Sequence, residues 1–256
     1  MPLLCVASQF SMFNQEHILI PFHASPLPKG PWLIFAPHAD DETFGMGGSL
    51  LKAKEQEIET HLVILTDGSM GGGGDDLVQV RLNEAHQAAE SLGISSLQTW
   101  SEPDRSLAPS QEIINKASSL ILKVLPSAVF FPGPLEIHPD HRAAAVLVWK
   151  ALQKVKLRVE PPTPISYEIG VQNPVNMLVD ITRQTAEKKR VMEIYASQNK
   201  ENNYPELVVS LDKGRTFSLP QEVEFAEGFF KYQEGDLDLS LGEMTHAVID
   251  LYGVQD

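Results

Sequence analysis

The chain has 256 residues, 43% of them hydrophobic and 21% charged, with a formal net charge of −14, a balance that suits a soluble globular protein able to bury a sizeable core. The acidic surplus argues against a nucleic-acid partner, because phosphate binding needs a basic surface. One cysteine, Cys5, excludes an internal disulfide and a thiolate metal cage, and no stretch approaches the ~20 apolar residues that a membrane helix needs.

Residues 1–30, rich in proline and polar interruptions, are expected as an N-terminal arm. They lack a basic n-region and carry Asn14, Gln15, Glu16 and His17, so they do not read as a signal peptide, and a cytoplasmic location follows by default. From Pro31 onward apolar strand candidates at 32–37, 61–66, 97–101 and 128–132 alternate with helical patterns near 43–56, 77–92, 110–124 and 139–155. Strands that are apolar throughout, separated by helices, predict an α/β fold: a Rossmann-like, mostly parallel sheet flanked by helices. Residues 31–160 are expected to form this catalytic core. Residues 161–256 are expected as a smaller mixed C-terminal extension packed on the same domain. That extension holds strands at 164–169, 176–181 and 223–230, helices at 183–197 and 204–213, and an acidic tail from Glu234. The run Lys188-Lys189-Arg190 reads as a solvated helix face, and Gly71–Gly74 as a flexible loop, an anion-binding nest or a mobile lid.

Two clusters carry the chemistry. His38-Ala39-Asp40-Asp41-Glu42 follows the apolar run Trp32–Ala36, and His138-Pro139-Asp140-His141 follows Ala128–Phe131. Both fall at the carboxyl ends of strands, where open α/β sheets bind ligands. His38 and Asp41, three apart at a strand-to-helix turn, can converge on one point, with the carboxylate of Asp40 close by. Pro139 suits the first position of a helix, which sets His138 and His141 on one side of its first turn. Imidazole and carboxylate ligands suit zinc and other first-row metals, and three of them with one open position is the pattern of a catalytic zinc site. A spare carboxylate beside the metal can take a proton from water. A helix cap would explain a lone His-Asp pair; two such clusters at one sheet edge point to a shared metal and to hydrolysis. Spacing alone does not separate the roles of His138 and His141. Glu42 fits an ordinary acidic first turn as well as a catalytic role, and His17, His23, His61, His86 and His246 have no partners at a recognisable spacing.

These residues also carry a resemblance. Pro37-His38-Ala39-Asp40-Asp41-Glu42 with Gly47-Gly48, then Leu65-Thr66-Asp67-Gly68, Arg81…Glu84-Ala85, Leu92-Gly93 and His138-Pro139-Asp140-His141, resembles the PIG-L/LmbE-like zinc-dependent de-N-acetylases, in order over roughly residues 31–200. Ala226-Glu227-Gly228-Phe229 resembles a C-terminal element of the same family, and Ala39 stands where the family usually has proline. The resemblance implies a hydrolase, a deacetylase that frees acetate and an amine from an N-acetylglucosamine-type substrate, either a small conjugate or a glycan. It implies His38, Asp41 and His141 as ligands of Zn2+, with Fe2+ and Co2+ suited to the same set. Asp40 becomes the general base, and His138 the group that stabilises the oxyanion or protonates the amine, with Asp140 orienting it. Arg81 and Asp104 are candidates for gripping sugar hydroxyls, although a surface ion pair or a turn explains each as well. Three other readings share these residues: an amidase for a non-sugar conjugate, a sugar-binding homologue without turnover, and a non-haem iron oxygenase.

Overall fold

The computed structural model describes residues 20–69, 77–199 and 202–252. Among them, seven strands join one sheet: β1 (Trp32–Ala36), β2 (Thr60–Thr66), β3 (Ser96–Glu102), β4 (Ala128–Pro132), β5 (Thr163–Tyr167), β6 (Met177–Asp180) and β7 (Ala226–Lys231). Their order across the sheet is β3-β2-β1-β4-β5-β7-β6. The pairings from β3 to β5 are all parallel, and β7 runs antiparallel to both β5 and β6. The helices are α1 (Asp41–Glu55), α2 (Leu77–Leu92), α3 (Gln111–Val124), α4 (Pro139–Lys156), α5 (Thr185–Ile194), α6 (Ala196–Asn199), α7 (Tyr204–Gly214) and α8 (Leu241–Asp250). The expected α/β architecture is the one observed.

Why the central strands β1, β2 and β4 read as nearly unbroken apolar runs is plain from their two faces, whereas the edge strand β3 (SLQTWSE) is half exposed. Successive side chains point to opposite sides. Leu33 and Phe35 therefore join Val63, Leu65, Val129 and Phe131 in a core covered by α3, α4 and α8. Trp32, Ile34 and Ala36 join Leu62, Ile64, Ala128 and Phe130 in a second core under α1, α2 and α5. A strand with helices on both faces has no side left for polar residues. α2 ends where Gly93 takes a φ of +75°, a left-handed turn that glycine enters without steric cost.

The stretch from Glu234 onward is not the acidic tail expected. Residues Glu234–Asp238 form a 3-10 turn, and α8 follows. Ser240 Oγ accepts the Glu243 N–H while the Glu243 carboxylate accepts the Ser240 N–H, a capping box that starts the helix. Leu241, Met244 and Val248 then bury against the first core. Their spacing and the Ser240…Glu243 pair are sequence signals that outweigh the acidic composition. The tetraglycine run, Cys5 and residues 1–19 of the arm lie outside the described residues.

The topology creates the site. β1 sits between β2 and β4, so the chain leaving β1 crosses toward β2, and the chain leaving β4 crosses the other way toward β5. Connections that diverge from neighbouring strands leave a crevice between them. Both histidine clusters begin there.

Candidate active site

The first cluster is shaped by a backbone turn. β1 ends at Ala36, and α1 starts at Asp41. Asp40, the residue between turn and helix, has a φ of 142°, a region that side chains other than glycine rarely enter and that costs about 1–3 kcal/mol. Its carbonyl accepts the Phe44 N–H at 2.8 Å, so the first helical bond forms in spite of the strain. The Asp41 carboxylate folds back over the turn. Its Oδ2 accepts the His38 N–H at 2.9 Å and lies 3.0 Å from His38 Nδ1.

The second cluster arrives on α4. His138 is the N-cap of that helix, and its Nδ1 accepts the Asp140 N–H at 3.2 Å. His141, one turn in, places Nε2 3.3 Å from Asp41 Oδ1. Asp41 is thus shared between His38 and His141, one from each cluster. The rings of His38 and His138 have centroids 4.7 Å apart, and those of His138 and His141 lie 5.0 Å apart. One nitrogen from each of the three imidazoles falls within 4.8 Å of the others, and so do donor atoms of His38, Asp104, His138 and Asp140. This His/Asp group can hold a metal. Asp104 and Asp140 share these groups with the imidazoles, and the buried carboxylates of Asp40 and Asp41 line the same cavity, a nitrogen-and-oxygen donor set that fits a divalent first-row cation.

Electrostatics sharpen the roles. Burial would raise the Asp41 carboxyl, but the charges and hydrogen bonds of His141 and His38 hold it well below the usual carboxylate range. His141 is raised to about 9 against its burial by the Asp41 charge and hydrogen bond and by Glu136. His38 is likewise raised, burial being outweighed by bonds to Asp104, Asp140 and Asp41. Asp40 moves the other way from its neighbour: burial and then the Asp41 charge push it well above the ordinary value. His138 is lowered by burial and by the other two imidazoles.

The remaining expected residues fall as follows. The Asp140 carboxylate lies 3.3 Å from His38 Nε2 and accepts N–H groups of Arg105 and Leu107 at 2.6 and 3.2 Å. Its link to His138 runs through its backbone N–H, so the imidazole its carboxylate faces is His38. Asp104 Oδ1 lies 3.3 Å from the same His38 Nε2. Arg81 is buried, donates from Nη1 to the Gly68 carbonyl, and lines the site cavity with Asp104 and Arg105. Asp67, the first residue after β2, faces this loop: its Oδ1 accepts N–H groups of Ser69 and Asp104.

Several supporting contacts are not legible in the sequence, and Lys188, read there as part of a solvated helix face, is instead fully buried. Glu136 is buried, accepts the Ile169 and Gly170 N–H groups at 2.8 and 3.1 Å, and sits 3.6 Å from His141 Nδ1. Glu42 accepts from Tyr195 Oη at 2.6 Å and Thr43 Oγ1 at 2.7 Å, and its other oxygen takes the Asp40 N–H at 3.3 Å. Gln198 donates to the Ala39 carbonyl at 2.6 Å. Glu227 accepts the Gly48 and Ser49 N–H groups, each at 2.7 Å, where α1 kinks at Met46 (φ −148°). Lys188, fully buried, bridges Glu227 at 2.8 Å and Asp212 at 2.7 Å. Most of these contacts engage backbone groups or join residues more than a hundred positions apart, so a local pattern does not announce them; the exceptions are Glu42–Thr43, Glu136–His141, Lys188–Asp212 and Lys188–Glu227. The Glu-Gly pair in Ala226–Phe229 and the acidic first-turn Glu42 are the hints the sequence offers.

The clusters form one end of a cavity of about 710 Å³. Residues 33–152 match the family described as PIG-L, GlcNAc-PI de-N-acetylase. The diacetylchitobiose deacetylase of Thermococcus kodakarensis is 35% identical over 123 residues, 45% of this chain and 46% of that protein. A probable N-acetyl-alpha-D-glucosaminyl L-malate deacetylase 2 of Bacillus anthracis is 26% identical over 206 residues, 73% of this chain and 83% of that protein. Among solved structures, a conserved protein of Thermus thermophilus superposes with a TM-score of 0.71 and 27% identity, covering 79% of this chain and 94% of that one. The match to the Thermococcus protein spans about half of its length.

Proposed function

From the match of residues 33–152 to the PIG-L family, we propose that this chain is a zinc-dependent deacetylase that removes the N-acetyl group from an N-acetylglucosamine-type conjugate. The observation that carries the reading is the sharing of Asp41 between His38 and His141, with the buried carboxylate of Asp40 beside it at the end of an open cavity. His38, Asp41 and His141 would hold the ion. When bound, it supplies Lewis acidity toward an amide carbonyl and lowers the pKa of water.

The chain's own groups do the rest. Asp40 takes a proton from the attacking water as the new C–O bond forms at the amide carbon. His138 receives the Asp140 N–H on Nδ1, so its neutral ring carries the proton on Nε2 and can donate it as a hydrogen bond to the developing oxyanion. A lowered His138 pKa keeps that neutral form at pH 7. The C–N bond then breaks, Asp40 returns its proton to the leaving nitrogen, and acetate and a free amine result. Asp140, flanked by the Arg105 and Leu107 amides, positions His38, and Glu136 positions His141. Arg81, Asp104 and Arg105 are proposed to bind the polar face of the sugar.

The same reading treats residues 31–160 as the catalytic core and 161–256 as an extension of one domain. The continuation of the sheet through β5, β7 and β6, and the reach of Glu227 to α1, support it. Among the described residues no helix is long and apolar enough to cross a membrane. The test is acetate release from a panel of N-acetylglucosamine conjugates by metal-analysed protein, with chelator and after zinc repletion. Chelator-sensitive release restored by zinc is the expected result; metal-replete, folded protein that releases no acetate from any of them sinks the deacetylase reading.

A further inference from the structure

The cavity has two chemically different ends. Asp104 and Arg105 enter from the loop after β3, and Arg81 from α2, on the β2–β3 side of the sheet. From the other side, beyond β5, α7 turns Tyr204, Leu207, Val208 and Leu211 into the same cavity. These four occupy positions i, i+3, i+4 and i+7, one stripe of a helix. Phe44, from the first turns of α1, packs its ring 5.5 Å from that of Tyr204 and extends the stripe toward Asp40 and Asp41. At the rim, Leu207 is 57% exposed, and Ile137, next to His138, is 75% exposed.

A sugar ring is recognised by hydrogen-bonding groups at its hydroxyls, and the Arg81–Asp104–Arg105 end supplies them. The stripe on α7 offers a single polar atom, the Tyr204 hydroxyl, which already accepts from Asn202 Nδ2 at 3.1 Å. Val208 and Phe44 are buried beneath the stripe, while Leu207 and Ile137 stand open to water beside the reacting centre, an exposure that costs free energy until something apolar covers them. Given the deacetylase reading on which this rests, we propose that the α7 stripe, centred on Leu207 and Tyr204, is a specificity wall for an alkyl or aryl group carried by the substrate. The preferred substrate is therefore an amphiphilic N-acyl amino sugar, its ring toward Arg105 and its apolar substituent along α7. Such a group is attached either at the anomeric oxygen or as the acyl chain, and both present the same chemistry to the wall.

The test compares zinc-loaded wild type on N-acetylglucosamine, N,N′-diacetylchitobiose, hexyl N-acetyl-β-glucosaminide and N-hexanoylglucosamine. Each methylene taken fully out of water contributes about fourfold, so even a half-covered hexyl chain should raise kcat/KM by about tenfold or more over N-acetylglucosamine, chiefly through KM. Whichever hexyl compound shows the gain tells aglycone from acyl placement. Leu207→Asp, and Leu207→Ser as a variant that adds no charge, should cut the ratio of hexyl to N-acetylglucosamine kcat/KM by about tenfold. Equal kcat/KM for short and hexyl compounds in wild type, or an unchanged ratio in both variants, overturns the wall. Absence of turnover on every compound would instead strike the deacetylase reading. Calorimetric binding of the hexyl glucosaminide to wild type and Leu207→Asp then still decides: tighter binding to wild type with a negative heat-capacity change supports the wall, and equal binding overturns it.

Discussion

The backbone N–H of Asp40 points to Glu42 Oε2 at 3.3 Å, in a turn where Asp40 itself holds a φ of 142°. Glu42 in turn is held by Tyr195 and Thr43. The general base proposed here is therefore kept in an unfavourable conformation by a buried carboxylate anchored from α1 and from the break between α5 and α6. Replacing Asp40 should separate stability from activity. Asp40→Asn removes a buried carboxylate beside Asp41, and asparagine tolerates positive φ better than most residues. The expected outcome is a loss of about 10²–10⁴ in kcat with an unchanged or higher thermal midpoint. Acetate release and a thermal melt on the same preparation check it; near-normal turnover with zinc retained would remove Asp40 from its role.

Metal uptake should depend on pH in a direction the site dictates. His141 is raised to about 9 in the metal-free chain, and its protonated form must be displaced before a metal can bind. A raised histidine contributes stability that is present below about 6.5 and is lost as pH rises through about 9. Metal-free protein should accordingly weaken, and zinc should bind more tightly, as pH rises across that window. Competition against a chromophoric chelator at pH 6, 7.5 and 9 measures the affinity; a flat profile would contradict the assignment of His141 as a ligand.

Glu136 should matter through His141. It faces Nδ1 at 3.6 Å while both its oxygens are fixed by the Ile169 and Gly170 amides. Glu136→Gln keeps the shape and removes the charge. Zinc affinity is expected to fall about 10–100-fold, read by the same competition, and excess zinc should restore much of the activity. Activity that excess zinc cannot restore would show that Glu136 does more than support the metal.

The Lys188–Asp212–Glu227 group should respond to pH as well. Burial pushes Asp212 up to about 7 against the pull of the Lys188 charge, and the Glu227 charge pushes the same way. A carboxyl raised in the folded state contributes stability below about 3.8 that is lost as pH rises through about 7. Asp212→Asn, which resembles the protonated acid, should escape that loss. Between pH 5 and 8 the unfolding free energy of wild type from urea titration is expected to fall relative to the variant, by on the order of 1–3 kcal/mol. Parallel curves would show that Asp212 stays ionised throughout.

Lys188→Met, by contrast, leaves two buried carboxylates without their cation. A destabilisation of about 3–5 kcal/mol is expected. Urea unfolding at pH 8 measures it, and a cost below about 1 kcal/mol would mean that the α1 amides suffice for Glu227 and that Asp212 takes up a proton when its cation is gone.

Much of this protein is written locally. Apolar runs such as Trp32–Ala36 have no polar side because helices cover both faces of the sheet, so strand positions and the α/β class are legible residue by residue. The two histidine clusters are equally legible, since each is a short motif at a strand end. α8 was written as well, in Ser240, Glu243 and the spacing of Leu241, Met244 and Val248, but acidic composition masked it.

The tertiary structure alone decided which groups meet. That Asp41 lies between His38 and His141, that the Asp140 carboxylate faces His38, and that Glu227 holds the amides of a kinked α1 all follow from the order β3-β2-β1-β4-β5-β7-β6. So does the apolar stripe of α7 beside the catalytic turn. Hydrophobic periodicity is a property of neighbours in the chain, read over a few residues. Charge pairing and cavity lining belong to neighbours in space, brought together only when the sheet closes its order around the crevice between β1 and β4.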